Sequence, residues 1–247
     1  MTHIFRLSGP LPTAFTAIAM SAALTACQPD EQPIAPEPQD VYFDRLSQLC
    51  GKAFSGTLAS DQAVDADMAG KPMIMHVAHC DQNEIRIPFH VGPSPTDAAD
   101  SEWDRSRTWI ITRITDGDKS RLRLKHRHRH EDGSLDAVTN YGGDTVSRGS
   151  AERQQFPVDA ESIALFKQEG LDQSVTNVWA VEISPPGQSD ARFAYELRRP
   201  APSGTPSDTP ATDAPSDNSS PEGRFFRVEF DLTKAVPPPP PPWGDQD

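Results

Sequence analysis

No stretch of this chain holds the ~18 consecutive apolar residues that a membrane-crossing helix requires. Cations are in deficit: 23 Lys and Arg stand against 36 Asp and Glu, a formal charge of -13 and a pI near 4.9. That balance argues against a general nucleic-acid binder. Hydrophobic residues make up 36% and aromatic residues 7%. Glycine raises the apolar share to about 42%, slightly below the ~45–50% of ordinary globular domains. Part of the chain is therefore not built for a core. No Gly-x-Ser-x-Gly elbow occurs, no serine stands beside a His-Asp pair, and Asn140-Tyr141-Gly142-Gly143-Asp144 lacks phosphate-loop spacing. No catalytic residue is assigned from sequence.

Proline is plentiful, with 25 of 247 residues, about twice the usual ~5%. Residues 28–41 hold four, 200–223 six and 237–242 six. Residues 27–41 read as a solvated tether extended by proline and like charge. Residues 200–223 carry no large apolar side chain and are expected to be disordered. Residues 237–247 begin with a polyproline stretch suited to a left-handed PPII spacer, and Trp243 just beyond it is free to tuck onto the folded domain. These segments carry ten of the acids and no Lys or Arg, so much of the negative charge describes them rather than the domain.

The N-terminus has one positive residue in its first part, Arg6, followed by a short apolar stretch from Ala14 to Leu24. That pattern predicts a signal peptide over residues 1–26. It ends in Leu24-Thr25-Ala26-Cys27, which resembles the lipobox of bacterial lipoproteins. The resemblance implies lipidation of Cys27 and cleavage before it. Gln28, rather than Asp, at the next position implies sorting to the outer membrane of a Gram-negative cell envelope, facing the periplasm. Two or three acyl chains on one residue make a stable anchor. Two cysteines then remain, Cys50 and Cys80, and in an exported chain they are expected to form one disulfide.

The remaining residues, 42–236 apart from the insert, predict a single all-β domain. Period-two alternation marks Met73–Val77, Ile85–Phe89, Arg107–Thr115, Ser120–His130, Val175–Ile183, Phe193–Leu197 and Phe226–Leu232. Asp116-Gly117-Asp118 reads as a hairpin turn. The strands on either side of the insert read as one hairpin with a lengthened turn, which costs little closure entropy. Short helices are expected over Tyr42–Leu49, and from an Asp159 cap through Lys167. The expectation is an antiparallel up-and-down barrel or sandwich of about eight to ten strands. The element order is similar to calycin-like barrels, and the domain resembles small exported proteobacterial proteins. The calycin resemblance implies a small apolar ligand inside the barrel, although Lys52-Ala53-Phe54-Ser55-Gly56 stands where that family carries glycine-x-tryptophan.

One segment is chemically loud: Arg121-Leu122-Arg123-Leu124-Lys125-His126-Arg127-His128-Arg129-His130. On a strand Leu122, Leu124, His126, His128 and His130 share one face, and Arg121, Arg123, Lys125, Arg127 and Arg129 the other. Histidines two apart lie ~6–7 Å from each other, a spacing two ligands of one zinc or copper ion can use. Glu131, Asp132 or Asp136 is placed to complete or orient such a site. The adjacent cations oppose a dication, and the bland reading is a polar strand end at a barrel rim. The cationic face is a candidate surface for an envelope polyanion such as lipid phosphate; its bland reading is cross-strand pairing with Asp and Glu. The leading expectation is a non-enzymatic, lipid-anchored binding module, with a metal-binding protein or metal-dependent hydrolase centred on His126, His128 and His130 as the alternative.

Overall fold

Alternating burial is clean at Met73–His76 and over residues 121–127, 153–156 and 225–230 in the computed structural model, which describes residues 9, 35–94, 102–116, 119–201 and 223–245. The signal peptide other than Gly9, Cys27, the tether through residue 34, Gly117 and Asp118 of the expected turn, residues 202–222 of the insert and the last two residues lie outside the described residues.

The strands are β1 (Ala53–Leu58), β2 (Met73–His76), β3 (His79–Cys80), β4 (Glu84–Val91), β5 (Asp104–Asp116), β6 (Lys119–His128), β7 (Tyr141–Asp144), β8 (Arg153–Pro157), β9 (Val178–Ile183), β10 (Arg192–Arg199) and β11 (Arg224–Val236). They form one antiparallel sheet in the order β7-β6-β5-β4-β2-β1-β11-β10-β9-β8, with β3 beside β4. The two ends of this path meet at a bridge between Gly143 and Val158, and the Asp159 N–H donates to the Gly142 carbonyl. A Cβ on Gly143 would lie 1.8 Å from the Pro157 carbonyl oxygen, so only glycine permits that closure. The sheet is thus a nearly closed barrel, and the barrel half of the sequence expectation holds. Closure leaves few open strand edges to pair with other chains.

Most of the expected strands form. β10 and β11 pair without interruption from Arg192↔Asp231 to Arg199↔Arg224, the hairpin anticipated on either side of the insert. β9 starts at Val178, later than expected, because Asp172–Thr176 forms a 3-10 turn and removes Val175 from the strand face. The loud strand ends at His128, with Arg129 held by a single bridge to Leu135.

Helix α1 spans Pro38–Ser47 and begins inside the segment read as tether. Proline in the first turn misled that reading: there its missing N–H would have had no helical partner anyway. Tyr42, Phe43 and Leu46 are buried in the same core as the barrel strands. Gln39 donates to Thr145 Oγ1 and the Ser147 carbonyl, and Arg113 of β5 pairs with Asp40 and Asp44. The helix therefore lies across the barrel end where β5, β8 and β9 terminate. Helix α2 (Ala160–Gln168) has the expected cap, the Asp159 carboxylate accepting from the Ser162 N–H at 2.8 Å.

The interior is filled by side chains. Trp109 stacks on Tyr195 at 4.5 Å and on Phe89 at 4.8 Å, with Phe193 and Phe230 at 6.0 and 6.3 Å. Outside, an ion-pair lattice ties β8 to β11. Glu196, almost fully buried at 3% side-chain exposure, accepts from Arg153, Arg198 and Arg227 at 2.6–3.0 Å. Burial alone would raise its pKa; the hydrogen bonds from Arg198 and Arg153 outweigh that and hold it at about 2.

Cys50 and Cys80 form a disulfide across a separation of 30 residues, fastening the turn after α1 to β3. Loop-closure entropy assigns such a link about 3–4 kcal/mol. Reduction, or the double change to Ser, is expected to lower the urea midpoint correspondingly; an unchanged midpoint would show that the bridge adds no stability.

Candidate functional site

The row that alternation placed on one face of β6 points inward. Leu122, Leu124 and His126 are buried in the barrel core, His128 is half-buried and His130 is exposed. His126 sits among rings, with Tyr141 stacked at 4.7 Å and Trp179 at 5.1 Å. Its Nδ1 lies 3.0 Å from the Tyr141 carbonyl oxygen and its Nε2 lies 2.8 Å from Tyr195 Oη. A carbonyl only accepts, so Nδ1 carries the proton, and the Tyr195 hydroxyl donates to the Nε2 lone pair. Burial drives the His126 pKa down to about 3.

This geometry uses up the nitrogens that a metal would need. His128 Nε2 is 3.2 Å from the Tyr141 hydroxyl, and burial lowers its pKa to about 4. His130 reaches toward Asp136 at 3.8 Å. The expected ligand set His126, His128 and His130 is therefore divided between core and surface. Among the described residues no group of three or more His, Cys, Asp or Glu is placed to hold a metal ion. Glu131 lies in the loop after β6, and Asp132 accepts from Ser134 instead of supporting a ligand. The other histidines do not join the row. His79 pairs with Asp81. His90 alternates with inward-facing Phe89 and Val91, so its ring lies on the outer side of the wall.

The cationic face of β6 points outward as expected, but most of its charge is answered locally. Arg121 and Arg123 both bind Asp144 of β7, and Lys125 binds Asp159 and Glu161 at 2.9 Å. Arg129 folds onto the Gly133 carbonyl at 2.6 Å. Among the described residues Arg127 alone of the five has neither an ion pair nor a hydrogen bond through its side chain. Three acids thus offset the row proposed for a polyanion, the cross-strand pairing expected of adjacent strands.

The interior likewise holds side chains where the calycin resemblance placed a ligand. Two open spaces lie on the outside of the described residues. A cleft of about 650 Å³ follows the bulge where β11 parts from β1, lined by Gly56, Ala191, Arg192, Glu229, Phe230 and Asp231 among others. Its acids are engaged within the wall, Arg192 lying 3.5 Å from Glu229 and 3.8 Å from Asp190, and Asp231 accepting from Thr233.

A second space depends on the proline-rich tail. Val236 still pairs with Ala53 of β1, whereas the Trp243 backbone N–H donates to the Arg105 carbonyl on β5, and Arg105 Nη1 donates back to the Pro241 carbonyl at 3.0 Å. In the sheet β2 and β4 lie between these two anchors. His90 lies in that stretch of wall, fully buried, with neither ring nitrogen hydrogen-bonded. The tail ends beside the β6–β7 loop, where Trp243, Trp103, Glu102, Asp104 and Glu131 line a shallow, open surface cavity of about 330 Å³. The sequence left open whether Trp243 would tuck onto the domain, and the structure places it there. Nothing in the sequence signalled that Trp103, 140 residues earlier, would share its cavity. No family model, no curated protein and no solved structure matches the chain.

Proposed function

We propose that this chain is a lipid-anchored lipoprotein of a bacterial cell envelope, whose β domain is a non-enzymatic binding module working through its outer surface. The observation that carries the reading is the Cys50–Cys80 disulfide. Such bonds persist in oxidising compartments, and this one leaves Cys27 as the one remaining cysteine of the three, at the end of Leu24-Thr25-Ala26-Cys27. Lipidation there, followed by an acidic proline-rich tether, would hold the domain off the membrane. The filled aromatic interior favours recognition on the outside, and the hydrogen bonds that lock His126 give that ring a structural task.

The test is acylation. Expressed in a Gram-negative host, the chain is expected to incorporate labelled palmitate and to enter the detergent phase on phase separation. Cys27→Ser should lose the label and shift the protein to the aqueous phase. Equal label and partition in the Ser variant would sink the anchor.

A further inference from the structure

The chain has four tryptophans. Trp109 and Trp179 are core residues, while Trp103 and Trp243 line one surface cavity in the company of three carboxylates. We infer that this cavity is a binding site for a compact organic cation of the alkylated-ammonium class, its two indoles and the Glu102 and Glu131 carboxylates supplying the contacts. The inference deepens the binding-module reading and rests on it.

A glycine leaves room for the Trp103 indole, and two more let the chain that carries Trp243 dock. A Cβ on Gly92 would stand 3.0 and 3.1 Å from the outer ring atoms of Trp103, and 2.7 Å from Pro72, so the bare backbone at Gly92 leaves room for the edge of that ring. Gly133 and Gly244 both have positive φ, and a Cβ on Gly133 would lie 3.0 Å from the Gly244 Cα. A Cβ on Gly244 would meet Arg129 Cδ at 2.8 Å and the Gly133 carbonyl oxygen at 2.9 Å. The tail thus ends backbone against backbone on the β6–β7 loop, and the Asp245 N–H closes a turn onto the Pro242 carbonyl. Together with the two Arg105 bonds, these contacts give Trp243 a fixed position although it follows six prolines.

The charge in the cavity is unbalanced. Asp104 is answered by Arg107. Glu102 and Glu131 have no ion-pair partner among the described residues. A neighbouring recess of about 220 Å³ shares Glu102 and Asp104. Indole faces attract cations, most strongly when the cation is weakly hydrated, and carboxylates add a longer-range field. A metal ion is the poorer fit, because the aromatic walls offer it no ligand atoms. A cavity of ~300 Å³ is at the small end of ligand sites, which favours a headgroup-sized cation over a folded peptide. That group can belong to a free amine or to a phosphocholine lipid.

The probe is choline, compared with its uncharged analogue in which a tert-butyl group replaces trimethylammonium. In the full mature chain, choline is expected to change tryptophan fluorescence saturably, with a Kd of roughly millimolar order that weakens as salt rises. Trp243→Ala should weaken binding ~10-fold, and Glu102→Gln with Glu131→Gln should do so by a similar factor, with melting temperature unchanged. Vesicles bearing phosphocholine, against phosphatidylglycerol, distinguish the lipid source from the free one: a response to choline alone assigns a soluble ligand, a response to both a headgroup. An equal response to the neutral analogue, or a choline affinity left unchanged by Trp243→Ala, overturns the site. Palmitate labelling of Cys27 is read separately, so the site can fail while the anchor stands.

Discussion

Lowering the pH from about 6.5 to 4.5 is expected to remove a large part of the domain's stability, most of it through buried histidines rather than carboxylates. Burial holds His126 at about 3 and His90 at about 4, against an ordinary 6.5. Arg105 and His76 push His90 the same way, and Asp104 opposes them. A folded pKa below the unfolded one means that the unfolded chain takes up a proton first as pH falls. Each of these two rings then costs about 3 kcal/mol across that window, and half-buried His128, also at about 4, adds to the loss. The total is comparable with a typical stability of ~5–15 kcal/mol. Carboxylates such as Glu196, held at about 2, act in a lower window, from the ordinary carboxylate range downward. Urea midpoints at pH 7 and pH 4.5 measure the fall. His90→Leu should flatten it by about one ring's share without loss at neutral pH, because neither His90 nitrogen has a partner to lose. An identical pH slope in that variant would mean that the His90 ring protonates in the native state.

Trp109→Ala is expected to cost about 3–5 kcal/mol, the range for removing a buried aromatic side chain. Trp109 joins β5 to the opposite wall through Tyr195 and Phe193 of β10 and Phe230 of β11. Its loss leaves all four partner rings facing a void that a closed wall of strands cannot collapse around. The urea midpoint should drop with little change in m. Trp109→Phe should lose less, because its ring retains part of the stack. The void would be apolar, so a benzene-sized ligand should restore part of the stability of the Ala variant. A loss below about 1 kcal/mol would mean that the interior is not packed around this residue.

What could be read from sequence was whatever repeats locally. Phe226, Val228 and Phe230 alternate with Arg227, Glu229 and Asp231, and the strand pairing follows that pleat. The Asp159 cap is similarly local, because its partner is three residues away. The pairing of Cys50 with Cys80 followed from counting. α1 began earlier than expected, because a proline in a first turn looks like a proline in a tether.

Sequence by itself determined the all-β class, the hairpin across the insert, the disulfide and the division of the β6 strand into a histidine face and a cationic face. Tertiary structure alone decided what each face meets. His126 became a core residue because β10 brings Tyr195 and β7 brings Tyr141 to its two nitrogens. The arginine row lost most of its free charge because Asp144 and the start of α2 lie beside it. Trp103 and Trp243 share a cavity because the tail crosses the wall to β5. The physical reason is range. A strand's pleat fixes which way a side chain points from its immediate neighbours alone, whereas its partners depend on barrel closure, which joins β1 to β11 and β7 to β8 across long stretches of chain.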